Sequence, residues 1–162
     1  MEGVDYNLDD DLVSNIGFLQ AMNQKVLDYL HAIPELAVIK HMFSEDSKTL
    51  KQEIDKALTG TAPISAMVAI GECKDAAPGV PNQIRFDPME IIIVIMEQPN
   101  LNRGRDGTGL TVNRAAELVA CRMKGERIGD AFFTKADFRL PTEDLGSVAA
   151  RLVVLTISAT IE

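Results

Sequence analysis

Apolar and polar positions alternate along the chain with periods that change from helical to extended several times. Residues 1–8 are polar and predict a flexible arm. Asp9, Asp10 and Asp11 crowd the start of the first apolar pattern, where carboxylates favour the positive end of a helix. Leu12, Ile16, Leu19, Val26 and Leu30 fall on one stripe of a helix to about Ala32, and Pro34 ends it. Glu35 to Phe43 predicts a short strand carrying Leu36, Val38, Met42 and Phe43. Ser44 is a good N-cap for a second helix, with Glu45 and Asp46 in its first turn. Leu50, Ile54, Ala57 and Leu58 supply that helix with an apolar stripe, and Gly60 stands where a terminating glycine is expected.

Extended patterns follow. Ile64 to Glu72 predicts a strand, and residues 75–88, rich in Pro and Gly, predict a loop. The run from Glu90 to Glu97 is almost all β-branched between its two carboxylates. Such a run predicts a strand at the centre of a sheet, covered on both faces. Pro99 to Gly109 is a glycine-containing loop. Thr111 can then cap a helix from Val112 to Lys124 with Val112, Ala116, Val119 and Met123 inward, closed by Gly125. Ala131 to Leu140 predicts a strand, and Pro141 to Gly146 a turn. A last strand from Ala149 to Ile161 sets Val153, Leu155, Ile157, Ala159 and Ile161 on one face. The predicted order is α-β-α-β-β-α-β-β. It implies an α+β fold with a mixed or antiparallel sheet of about four strands, and helices packed on it. No linker, repeat or low-complexity tract divides residues 1–162, so a single domain is expected.

Composition narrows the function classes. With 16 Lys and Arg against 24 Asp and Glu the formal net charge is −8, which on average repels a polyanion and argues against sequence-specific nucleic-acid binding. Aromatics are 5% and Trp is absent, so the core must be aliphatic, with Met22, Met67, Met96 and Met123 as gap-fillers. Cys73 and Cys121 lie far apart, without metal-ligand spacing, and read as small buried apolar residues in a reducing cytoplasm. No apolar run is long enough for a membrane span.

Candidate chemistry is sparse. Gly104 to Thr111 matches the phosphate-binding loop G-x-x-x-x-G-K-[ST] except at Leu110, which replaces the lysine that reaches the phosphates. His31 and His41 are the natural acid–base candidates, but neither has a nucleophile or carboxylate partner by spacing, and Ser65 and Ser158 lack a nucleophile-elbow context. The expectation is a protein without catalysis, cofactor or metal. A small nucleotide-binding protein or enzyme using the Gly104–Thr111 loop is the alternative from a different class.

From Ile93 to Gly125 the chain reads Ile-Val-Ile-Met-Glu97-Gln-Pro99-Asn-Leu-Asn102-Arg103-Gly104, then Asp-Gly107-Thr108-Gly109, then a helix with Ala115, Ala116 and Glu117. This resembles a pattern in the tail-terminator, or tail-completion, proteins of tailed bacteriophages. There a central strand ends in an acidic-x-Pro segment, followed by an N-R-G and G-T-G loop and an alanine-rich helix. The element order of the last two-thirds, the length and the acidic charge are also similar, while the acidic N-terminal helix has no counterpart. The resemblance implies a structural virion protein, made in the bacterial host cytoplasm and placed in the tail. Its copies would form a ring, typically a hexamer, that caps the tail tube, ends its elongation and meets head or neck proteins. A head–tail connector or neck protein of the same particle is the alternative within that class. The acidic balance suits a pore through which DNA slides without sticking. On this reading the loop contributes the subunit-interface candidates Asn102, Arg103, Gly104, Arg105, Asp106 and Thr108, with both arginines facing acidic groups of the next copy.

Overall fold

The computed structural model describes Val13 and residues 15–105, 107–128 and 131–161. The expected arm at 1–8, the acidic start at Asp9 to Asp11, Leu12 and Asp106 lie outside the described residues.

The first helix, α1, spans Phe18–His31. Gly17, at φ +84°, precedes it in the left-handed region that glycine alone enters freely, so no single straight helix runs through this point. The buried stripe of α1 is Ala21, Met22, Val26, Tyr29 and Leu30, whereas Leu19 is 41% exposed. The expected stripe was therefore right at Val26 and Leu30 and wrong at Leu19.

The strand expected over Glu35 to Phe43 is shorter and later. Pro34 starts a 3₁₀ turn, Pro34–Leu36, because its fixed φ suits the first position of a turn and not a ladder. Leu36 and Ile39 bury themselves from this irregular stretch, Val38 stays exposed, and β1 occupies only His41–Ser44. Ser44 is the last residue of β1, not an N-cap; its Oγ accepts from the Asp46 N–H at 3.3 Å in a local turn. The helix α2, Leu50–Leu58, starts after Thr49.

Two long strands follow, β2 over Ile64–Asp75 and β3 over Ile84–Glu97. β3 begins six residues before the apolar run because a bulge between Phe86 and Met89 absorbs Pro88, which has no N–H for the ladder. A single turn α3, Pro99–Asn102, and the helix α4, Val112–Met123, come next. Thr111 caps α4 as expected, its Oγ1 accepting from the Arg114 N–H at 3.3 Å. The strand expected at Ala131 to Leu140 is divided. Arg127–Ile128 (β4) and Ala131–Phe132 (β5) form a separate two-stranded ribbon, and Lys135–Arg139 (β6) joins the main sheet. The last strand, β7, covers Ala149–Ile161.

The main sheet has five strands in the order β1-β2-β3-β7-β6, parallel between β1 and β2 and antiparallel elsewhere. It is thus an α+β fold with a mixed sheet and β3 at its centre. One face carries Ile64, Ala66, Val68, Ile91, Ile93, Ile95, Val153, Leu155 and Ile157 into the main core, where α1 and α4 cover them. Each fully buried aliphatic side chain there contributes about 1.5–3 kcal/mol. The opposite face holds a smaller cluster at one end, in which Phe43, Ala57, Met96 and Ala150 are packed by Leu50, Ile54 and Leu58 of α2 and by Leu145 and Val148. Coverage of β3 on both faces therefore holds at Val94 and Met96. Elsewhere the second face mixes apolar and polar side chains, Ile92 and Val154 lying on it together with the pair in which Arg139 Nη2 is 3.0 Å from Glu90 Oε2.

The phase of α1 is open to a direct check. Leu30→Ala is expected to cost about 2–5 kcal/mol in urea unfolding and Leu19→Ala no more than about 0.5 kcal/mol; equal losses would contradict the observed orientation.

Candidate functional site

The segment that carries the family resemblance is built around a buried charge. Glu97, the last residue of β3, is fully buried. Its Oε2 accepts from Asn102 Nδ2 at 2.6 Å, and its Oε1 accepts from the Val112 N–H at 3.3 Å and lies 3.5 Å from Arg103 Nη2. Val112 is the first residue of α4, so the carboxylate also faces the positive end of that helix. Hydrogen bonds to an ionised group contribute about 1.5–3 kcal/mol each, and an unpaired buried carboxylate would be far costlier than either helix end alone.

Asn102 is the second organiser. Its amide donates to Glu97 and to the Leu110 carbonyl (2.8 Å), and its Oδ1 accepts from the N–H (3.1 Å) and the hydroxyl of Thr108. Every donor and acceptor site of the side chain is thereby used. Thr108 Oγ1 in turn accepts from the Leu110 N–H at 3.1 Å, and the Gly107 N–H donates to the Gly104 carbonyl at 3.1 Å. A Cβ on Gly107 would stand 1.7 Å from the Asn102 carbonyl oxygen, so only glycine permits the loop to close on itself there. Gln98 anchors the other side: its Nε2 donates to the carbonyls of Lys56, Gly60 and Ala62. The end of α2, the start of β2 and the end of β3 are thereby tied together.

Of the expected interface residues, Arg103, Gly104 and Arg105 are exposed, and Thr108 is half-buried. Asn102 is 3% exposed and bonded inward, so it shapes the loop instead of offering contact surface. Asp106 lies outside the described residues. The inward hydrogen bonding also bears on the phosphate-loop match: the N–H groups of Gly107, Thr108 and Leu110 all have partners within the loop, and a phosphate cradle needs such groups free.

A shallow groove of about 630 Å³ runs beside the loop, between Val38, Lys40, Lys56, Thr61, Pro63 and Thr108. His41 lies at its wall and is buried. His41 Nδ1 is 2.8 Å from Ser65 Oγ and its Nε2 is 2.6 Å from Glu53 Oε2, partners that sequence spacing does not reveal. Ser65 is fully buried, so its oxygen is closed to any substrate. The triplet acts as a clasp that holds α2, through Glu53, against β1 and β2. His31 ends α1 and is exposed.

Both cysteines are free. Cys121 is exposed on α4, contrary to the buried role expected for it, while Cys73 is half-buried. Burial pushes the Cys73 thiol above its ordinary range, and the Glu90 and Glu72 carboxylates push the same way, against one opposing backbone hydrogen bond from Glu90. Among the described residues no three or more His, Cys, Asp or Glu gather as metal ligands, and no helix is long and apolar enough to cross a membrane. No protein-family model matches the chain, and no curated protein matches it.

Three outcomes follow from the loop geometry. Asn102→Ala takes one hydrogen-bond partner from the Glu97 carboxylate and strands the Thr108 amide, and is expected to lower unfolding stability by about 3 kcal/mol in urea titration, near the cost of removing one partner of a buried charge. Gly107→Ala should destabilise for a steric reason, since the added Cβ collides with the Asn102 carbonyl oxygen, and wild-type stability in both variants would contradict the arrangement. ATP with magnesium should leave the melting temperature unchanged, whereas a ligand at 1,000-fold excess over its Kd would add about 4 kcal/mol.

Proposed function

We propose that this protein is a structural subunit that assembles with copies of itself into a ring, and that the ring completes the tail of a phage-like particle. The observation that carries the reading is the loop at 98–111. Its polar interior is spent on Glu97, Asn102 and Thr108, while Arg103 and Arg105 face outward from a framework held by β3 and α4. A loop fixed from within keeps one shape with its charged side chains outward, which suits recognition of a rigid neighbour better than chemistry on a small substrate. The resemblance of residues 93–125 to tail-terminator proteins supplies the particular assembly: a ring that caps the tail tube, stops its growth and meets the head or neck.

The terminal strand contributes less open edge than its length suggests. β7 lies between β3 and β6 through Leu152 to Thr156, and its two ends, Ala149 to Arg151 and the residues beyond Thr156, lack a ladder partner on the β6 side. Contacts through loops and side chains therefore carry more of this reading than strand addition does.

Native mass measurement and negative-stain imaging of the purified protein test the reading. Closed rings of one copy number are expected, without added cofactor; a monomer at every concentration would overturn it. Arg105→Glu is the cleaner loop variant, because Arg103 also touches Glu97. It should weaken ring formation by about tenfold or more while leaving the melting curve unchanged.

A further inference from the structure

We infer that the groove beside the loop receives the segment Leu140–Asp144 of a neighbouring copy, in a head-to-tail contact; this inference rests on the ring reading above. The groove and the segment complement each other in charge and in apolar content. Lys40 and Lys56 stand exposed on the groove, and among the described residues neither has an ion-pair partner, on a protein whose net charge is −8. Val38, 39% exposed, and Pro63 give the groove an apolar strip. On the other side, Leu140 is 65% exposed, more than any other large apolar residue described, and is followed by exposed Glu143 and Asp144. Glu143 has no ion-pair partner among the described residues, and Asp144 only accepts from the Gly146 N–H at 2.9 Å. An exposed leucine followed, after Pro141 and Thr142, by two carboxylates fits an apolar strip flanked by two ammonium groups.

The sheet sets the two features where a ring needs them. The groove lies at the start of β1, one edge strand of the main sheet, whose His41 is in its wall, and β6, which leads into the segment, is the other edge. Both features also lie at the same end of the strands. Ile64 pairs with Glu97 and Glu97 with Ala149, while His41 pairs with Ser65 and Arg139 with Leu152. Two different surfaces at one level on opposite edges make a heterologous contact, which repeats around an axis and closes when the rotation allows. Leu145, packed in the second cluster, tethers the segment from below, so its exposed side chains are presented from a fixed base.

Charge reversal from each side, and then from both, tests the contact. Lys40→Glu with Lys56→Glu should reduce ring formation at least about tenfold by native mass measurement, and Glu143→Lys with Asp144→Lys should do the same. The four substitutions combined in one chain restore the pairing with signs exchanged, so rings should return. Melting curves control for folding in each variant, since all four residues are exposed. Wild-type rings that survive either one-sided reversal, or a folded fourfold variant that stays dispersed, would overturn this contact alone. A wild-type protein that never associates would overturn the ring reading and this contact with it.

Discussion

A carboxylate removed from water at the end of the central strand has to be given hydrogen bonds, and much of the local architecture follows from how Glu97 obtains them. The carboxylate is fully buried among Asn102, Arg103 and the start of α4. Its partners come from the chain that follows. Asn102 turns back to supply one, Val112 at the start of α4 supplies another, and Arg103 approaches from the surface. Meeting this single demand fixes the length of the loop, the start of α4 and the inward turn of the intervening amides. Gly107 is the steric counterpart of the same constraint, since the loop closes tightly enough to exclude even a methyl group.

The sheet transmits that order outward. β3 buries Ile91, Ile93 and Ile95 beneath α1 and α4 on one face, while the other is covered only near the loop, by α2 and residues 145–148. The clasp of His41, Glu53 and Ser65 and the three carbonyl contacts of Gln98 hold α2 at that same end. Rigid elements and exposed charges are thus concentrated together, beside a groove that runs to the edge of the sheet. On the proposed ring reading this concentration favours association, because preorganised surfaces lose less conformational freedom when a neighbour binds.

Short edge strands belong to the same design. β1 has four residues and β6 has five, which limits the unpaired backbone each edge presents for indiscriminate strand pairing. Association guided by side-chain charge is more selective than backbone pairing, because a mismatched neighbour meets like charges. The net negative charge and the two groove lysines, which have no ion-pair partner among the described residues, suit the selectivity that the proposed contact needs.

Periodicity by itself determined the fold class, the central place of the 90–97 run, the Thr111 cap and the alternation of β7, because each depends on a local pattern or on residues a few positions apart. It failed where distant partners override local preference. Leu19 has the right spacing for the stripe of α1 yet faces solvent, and Ser44 has the chemistry of a cap yet ends a strand. Pro88 looks like the end of a loop, but a bulge opposite β7 carries it inside β3. The site divides in the same way. The loop and its outward arginines were legible as a glycine-containing segment between a strand and a helix. That Asn102 faces inward, that Glu97 is buried, and that His41 meets Glu53 and Ser65 were decided only when the sheet brought together residues far apart in the chain. A charge is buried or paired by what surrounds it in space, and no spacing along a sequence encodes that by itself.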